Sequence, residues 1–294
     1  MTAERSSAPS SGARTDVSPA GLRAAVQDDL DANAVRRRSI PGERVVRSDA
    51  LLAYVCDIAS PDVNEVVRAR FGEGDAADAA IDEAIAMFGH RPFLWWLGEH
   101  DQPADLADRL VRHGLVFLDD IPALAMDLAE LPPAADALPP PELRIEPVLD
   151  PATMDSFHSV LGHGFPEDFV DAATEAEIAA SSRRRGAETG YREPNGVPTR
   201  WLGSVDGRPV TTTRLHTGAG VAGIYAVVTV EDARRRGYGE AITRHALHAA
   251  RDAGLRIATL QASNAGLGIY ERIGFQVCCR YRLYEWRPAT ATKR

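Results

Sequence analysis

Apolar positions along this chain fall into two registers, helical spacing and short strand-like runs, with turn residues between them. From Pro19 through Ala24-Ala25-Val26 toward Val35 the spacing predicts a helix, and Pro41-Gly42 breaks the chain after it. Asp49 to Arg70 reads as mostly helical, interrupted at Pro61 with Asp62 as an N-cap, and Asp75 to Phe88 reads as a further helix. Pro92 to Leu97 is an apolar run that suits a buried strand. Ala104 to His113 sets Leu106 and Leu110 on one helical face and ends at Gly114, and Leu115 to Leu128 is strand-like with a break at Pro122.

The proline-rich stretch from Leu131 to Pro141 reads as a linker. Beyond it, a strand at Leu143 to Pro147 precedes helices at Pro151 to Leu161 and Glu167 to Arg183, and a polar loop from Arg184 to Pro198. Strands follow at Arg200 to Val205, Pro209 to His216 and Val221 to Val230, the first two joined by the hairpin signal Asp206-Gly207. A helix from Gly237 to Asp252 closes at Gly254. A strand at Arg256 to Gln261, a short helix ending at Gly274 and a strand from Phe275 to Trp286 complete the order. The expected organisation is a flexible tail over 1–40, an accessory unit over 41–131, a linker over 132–142 and the unit that carries the chemistry over 143–288.

Composition narrows the function classes. A chain of 294 residues suits two domains. Its net charge of −9 is uneven: residues 1–140 hold 13 basic and 24 acidic residues, a balance of −11, and the remainder holds 20 and 18, a balance of +2. An acidic half argues against nucleic acid as a partner and suits a cationic one. No apolar run approaches the roughly 20 residues that span a bilayer, and residues 1–16 lack the apolar core of a secretory signal, so no membrane partner is expected. Cys56, Cys278 and Cys279 show no CxxC spacing, which leaves no zinc site or disulfide framework and points to a reducing cytoplasm.

The strongest chemical signal is Gly223 to Val230, strand-like, followed by Arg234-Arg235-Arg236-Gly237-Tyr238-Gly239-Glu240 at the start of a helix. A helix N-terminus presents unpaired N–H groups and the positive end of its dipole, and glycines let a phosphate approach the backbone. No Gly-Lys-Ser/Thr follows, so this is not a Walker loop, and the third glycine of a dinucleotide fingerprint is missing.

Arg234-x-x-Gly237-x-Gly239 after a strand resembles the Gln/Arg-x-x-Gly-x-Gly/Ala motif of the GNAT acyl-CoA N-acyltransferase superfamily. Ser263-Asn264-Ala265-Gly266 through Tyr270 to Gly274-Phe275 resembles the family's second block, in the family's order and separation. The resemblance implies a mixed α/β (α+β) GNAT fold and acetyl-CoA as acyl donor. It gives Arg235, Arg236, Gly237, Tyr238, Gly239 and Glu240 to the pyrophosphate, with Arg234 as the motif residue. Val228, Thr229 and Val230 fall to the pantetheine arm, Ser263, Asn264 and Gly266 to further donor contacts, and Tyr270 to the thioester sulfur. A phenol there can offer a hydrogen bond or a proton to the leaving thiolate.

Two departures stand out. The family's usual Asn, seven residues before the tyrosine, is replaced by Ser263. The carboxylate some members carry on the preceding strand falls at about Ala258, so the base must come from elsewhere, with His216 and Tyr225 as candidates. His245 and His248 read as exposed helix surface and Arg183-Arg184-Arg185 as a solvated loop.

Aligning Gly114-Leu115 with Gly274-Phe275 sets Leu110 where Tyr270 stands and Trp95-Trp96-Leu97 as the strand before it. The first half therefore reads as a degenerate copy in a tandem of two GNAT-like units, the alternative being a helical lid. Its Gly72 and Gly74 follow Ala69 at the Gln/Arg position, amid acids, after a run that looks helical.

The expected function is N-acetyl transfer from acetyl-CoA to a primary amine of a small molecule by direct attack, in a monomer or homodimer. The alternatives are a peptide or protein N-acetyltransferase and a non-catalytic acyl-CoA sensor module.

Overall fold

The computed structural model describes residues 12–136, 138–164 and 171–288. Its centre is one mixed sheet of eleven strands: β1 (Arg44–Arg47), β2 (Leu51–Val55), β3 (Glu65–Ala69), β4 (Phe93–Leu97), β5 (Val116–Asp127), β6 (Leu143–Pro147), β7 (Arg200–Val205), β8 (Arg208–His216), β9 (Ala222–Thr229), β10 (Ile257–Gln261) and β11 (Gln276–Trp286). Among the described residues there are seven α-helices: α1 (Pro19–Val35), α2 (Asp75–Phe88), α3 (Leu106–Arg112), α4 (Pro151–Gly162), α5 (Ala172–Thr189), α6 (Tyr238–Asp252) and α7 (Leu267–Ile273).

The two halves repeat one plan. The run β1-β2-β3-α2-β4-α3-β5 has the element order of β7-β8-β9-α6-β10-α7-β11. In each half the strand before the long helix pairs parallel with the strand after it, β3 with β4 and β9 with β10. Gly114 and Gly274 both end the short helix with positive φ, +88° and +118°. The fold is a tandem of two GNAT-like units.

Strand order runs β1-β2-β3-β4-β11-β5-β10-β9-β8-β7-β6. Each half lends its last strand to the other: β11 lies between β4 and β5, and β5 between β11 and β10, all antiparallel. The sheet thus crosses the proline-rich segment, although the sequence divides there.

Three expectations are corrected. The region 49–70 is not helical but contains β2 and β3. Both are buried almost throughout, so they lack the alternation that marks a half-exposed strand, while Asp57, Asp62, Glu65, Arg68 and Arg70 mimic a polar helix face. The first-half glycine pair therefore does follow a strand. Residues 19–35 are no tail, since Leu22, Ala25, Val26, Leu30 and Ala34 pack on Ala123, Ala125, Val221 and Ile257. Ser18 caps this helix by accepting the Gly21 N–H, and Pro19 sits where its missing N–H costs nothing. Residues 1–11 lie outside the described residues. Lastly, α5 continues to Thr189, so Arg183, Arg184 and Arg185 are helical; the Arg184 guanidinium donates to the Ser39 carbonyl at 3.1 Å and to Glu177 at 2.8 Å. Part of the helix expected from Glu167 falls at 167–170, outside the described residues.

The strand exchange makes a prediction. A fragment starting at residue 132 leaves β10 and β11 without β5 between them. It should lack a cooperative thermal transition by circular dichroism, and co-expression with residues 12–131 should restore one. A cooperative transition in the fragment alone would contradict the exchange.

Candidate functional site

The site begins where β9 and β10 part. Their parallel pairing covers only Ala222–Ile224 against Ala258–Leu260, yet β9 continues to Thr229, so its last five residues have no strand on that flank. A bulge in β9 opens the fork: its register against β8 slips between Thr212 and Arg214, and Ala226 adopts φ +53°. From β8, Thr211 Oγ1 donates to the Val228 carbonyl of β9 at 2.8 Å and meets Thr229 Oγ1 at 3.0 Å. The Val230 N–H is bound to the Val210 carbonyl of β8, which holds the end of β9 on its other flank.

The turn after β9 ends at Gly237, whose φ of +82° lies in the left-handed region, and α6 starts at Tyr238 with no side chain capping it. The N–H groups of the first turn have no partner within a helix, so Gly237, Tyr238, Gly239 and Glu240 present a bare cluster of donors at the positive end of a dipole. A Cβ on Gly239 would lie 3.3 Å from Thr229 Oγ1, so glycine keeps the helix close to the strand. Arg235 and Arg236 are exposed beside it, whereas Arg234 donates to the Thr229 carbonyl at 3.1 Å and braces the turn. Tyr238 is buried and its hydroxyl donates to Glu142 at 2.8 Å; the Glu240 carboxylate holds Arg244 at 3.0 Å. Both side chains fasten the helix and leave only their backbone for a ligand.

Across the fork, Ser263 Oγ accepts the Gly266 N–H at 3.2 Å and sets the turn into α7. Asn264 donates to Asp119 Oδ1 at 3.0 Å, so its amide ties this turn to β5 and not to the fork. Tyr270 is half-buried, with its ring edge-on to Phe275, and burial alone pushes its phenol up to about 12. It therefore stays a protonated donor across the physiological range.

The N-terminal copy of this fork is closed. Gln102 donates its N–H to the Ala69 carbonyl at 2.9 Å, and Phe71 donates to the Gln102 carbonyl at 3.0 Å. Asp101 accepts the N–H groups of Ala69 and Gly98, both at 2.7 Å. The chain after β4 thus occupies the edge that β9 leaves free.

The sequence did not disclose the group beneath the open fork. Asp29, on α1, is fully buried and accepts from the Tyr225 hydroxyl at 2.6 Å and from Thr259 Oγ1 at 2.8 Å, while its Oδ1 has no partner. Gly223 makes the room, since a Cβ there would fall 2.4 Å from Asp29 Oδ1. Burial raises the Asp29 carboxyl and the Tyr225 phenol, each above its ordinary range. The one signal was an acidic residue on an otherwise apolar helix face. Of the two base candidates, Tyr225 is in this cluster. His216 sits 3.5 Å from Glu193 through Nδ1, with Nε2 buried and unpartnered. On α6, His245 is exposed and His248 is part-buried. Among the described residues no cluster of His, Cys, Asp and Glu could hold a metal ion, and no helix is long and apolar enough to cross a membrane.

Residues 161–275 match the model of the acetyltransferase (GNAT) family. No curated protein matches the sequence. Among solved structures, a GCN5-related N-acetyltransferase from Kribbella flavida aligns at 21% identity with TM-score 0.66, covering 92% of this chain and 97% of the other. One from Sphaerobacter thermophilus aligns at 17% identity with TM-score 0.57, covering 82% of each chain. A tandem GNAT protein from the clavulanic acid biosynthesis pathway aligns at 16% identity with TM-score 0.57, covering 94% and 90%. At these identities the likeness establishes the fold alone.

Asp29 leaves a signature in stability. A carboxyl whose native value is raised stabilises the fold below its unfolded value, about 3.9, and that contribution is lost as pH rises through the native value. The melting temperature of Asp29→Asn should therefore rise relative to the wild type as pH is raised above about 4. A constant or shrinking difference would show that Asp29 is not desolvated.

Proposed function

We propose that this chain, which belongs to the GNAT superfamily through the domain matched at residues 161–275, transfers an acetyl group from acetyl-CoA to a primary amine of a small molecule by direct attack. The observation that carries this reading is the uncapped start of α6 beside an open strand fork. The N–H groups of Gly237 to Glu240 suit a pyrophosphate, with Arg235 and Arg236 adding charge. The free edge of β9 suits the amide-bearing pantetheine arm, which binds as an added strand does. Ser263 and Gly266 border the fork, and Asn264 acts through the turn it secures.

The amine nitrogen attacks the thioester carbonyl; a C–N bond forms, the C–S bond breaks and the sulfur leaves as thiolate. Tyr270 donates a hydrogen bond to that sulfur. With a thiol near 8.5 and this phenol near 12, full proton transfer from Tyr270 is uphill, so the hydrogen bond is its main contribution. The amine must be neutral to attack, and the Tyr225–Asp29 pair is suited to take its proton: to Tyr225 Oη, as the Tyr225 proton passes to Asp29. Acetyl-CoA as donor suits a reaction in the cytoplasm. The acceptor side is covered by α1 and by the contact of Ser39 with Arg184, which suits a small acceptor better than a protein chain.

Free CoA released from acetyl-CoA over an amine panel tests this reading; acetyl-CoA binding without turnover on any amine would favour a sensor. Gly237→Val should weaken acetyl-CoA binding about 100-fold or more, since a β-branched residue disfavours φ near +82° and closes the backbone to phosphate. An unchanged Kd in calorimetry rejects the phosphate assignment. Tyr270→Phe should lower kcat roughly 10- to 100-fold with acetyl-CoA affinity nearly intact; a wild-type kcat rules out its role at the sulfur.

A further inference from the structure

The face of the sheet that carries Tyr225 holds a charge cluster that the proposed transfer does not use. Arg200 on β7 and Arg214 on β8 are direct cross-strand partners, and Arg214 is in turn paired with Tyr225 on β9. Like charges opposite each other on a sheet repel. Arg36, just past the end of α1, completes a group of three. All three are partly buried, and among the described residues none has a carboxylate within salt-bridge distance.

Their hydrogen bonds go to neutral groups. Arg36 Nε and Arg214 Nη2 share the single oxygen Asn33 Oδ1, each at 2.9 Å. Arg200 donates to Thr199 Oγ1 at 3.2 Å while its Nε is buried without a partner. The remaining planes rest on aromatic faces, Arg214 over Tyr225 at 4.5 Å and Arg200 over Phe157 at 5.5 Å. Burial draws all three guanidinium groups below their ordinary range, Arg200 to about 9; repulsion by Arg214 adds to this at Arg36 and Arg200, and repulsion by Arg38 at Arg214, while the Glu193 carboxylate, beyond salt-bridge distance, offsets part of it at each. By contrast Arg38, two residues on from Arg36, is paired with Glu65. Cations left part-buried and unpaired beside one another destabilise the fold unless an anion joins them.

We propose that Arg36, Arg200 and Arg214 bind an oxyanion of the acceptor, a carboxylate or phosphate, so that the acceptor is an amine that also carries negative charge. The inference rests on the acetyl-transfer reading for the word acceptor, but the oxyanion site stands on its own residues. Forked guanidinium groups match both oxyanions in bidentate geometry. Arg214 lies against Tyr225, so an oxyanion held there sets the amine of a short molecule beside the Tyr225 hydroxyl and the open fork. The first half, whose acidic balance suits a cationic acceptor, contributes Asp29 here, yet the three arginines outnumber the nearby Asp29 and Glu193 carboxylates.

The test uses the full chain and matched sets of acceptors: an α-amino acid, its carboxamide and its decarboxylated amine, and an aminoalkyl phosphate with its amino alcohol. CoA release should favour the anionic members by roughly 10- to 100-fold in kcat/KM, the value of a lost charge-assisted hydrogen bond. The better of the carboxylate and phosphate arms identifies the group. Arg36→Gln and Arg200→Gln should raise KM for the anionic acceptor by a similar factor and leave the Kd of acetyl-CoA unchanged. In parallel, sulfate or acetate should raise the melting temperature of the wild type and not of the double variant, a readout that needs no turnover. Equal use of neutral and anionic amines, or equal stabilisation of wild type and double variant by the oxyanion, overturns the proposal. Failure of acetyl-CoA to bind, with the oxyanion stabilisation intact, would instead reject the transfer reading and leave the anion site standing.

Discussion

The exchange of β5 and β11 governs the rest of the molecule. Each is the longest strand of its half, each is hydrogen-bonded on both edges, and each sits in the sheet between elements of the other half. Backbone donors and acceptors buried at the centre of a sheet must be paired, so neither half can satisfy its own centre without the other. One continuous sheet follows, and with it a surface on which α1 can lie across strands from both halves. That helix buries Ala25 and Val26 and, on the same face, drives Asp29 under the β9–β10 fork. The acidic residue nearest the candidate reaction centre thus belongs, in sequence, to the opposite end of the chain.

The same plan has two outcomes in the two halves. In the C-terminal half a bulge at Ala226 and an early end to β10 leave the edge of β9 free next to an uncapped helix start. In the N-terminal half Asp101 and Gln102 fold back onto Ala69 and fill that edge with the chain itself. The difference lies in a few backbone hydrogen bonds. A pantetheine arm in the first half would have to displace bonds already made, and a pyrophosphate there would face Glu73 and Asp75.

Much of the candidate site was legible in the sequence because it depends on local features. Gly237, Gly239 and Tyr270 lie in contiguous blocks whose spacing fixes a strand, a turn and a helix, and the structure has those elements within a residue or two. The match of Gly114 with Gly274 was legible for the same reason, as both end a short helix with positive φ. What escaped depends on long-range packing. β2 and β3 are buried on both faces and carry no alternation to read. Asp29 and Thr259 meet across more than two hundred residues, and Arg36, Arg200 and Arg214 come together only when α1 is laid on the exchanged sheet. The proposed anionic acceptor differs from the cationic one that net charge suits for a related cause: an acidic half describes an average surface, whereas a site takes its potential from the few groups that line it.

The central claim is that the open fork of the C-terminal half is where acetyl-CoA binds, and a crystal structure of the full chain with acetyl-CoA tests it most directly. The account predicts the pyrophosphate on the N–H groups of Gly237 to Glu240, the arm along β9 between Tyr225 and Thr229, and the sulfur within hydrogen-bonding reach of the Tyr270 hydroxyl. A ligand found against Ala69 and Gln102 in the first half, or one that leaves the start of α6 bare, would contradict it.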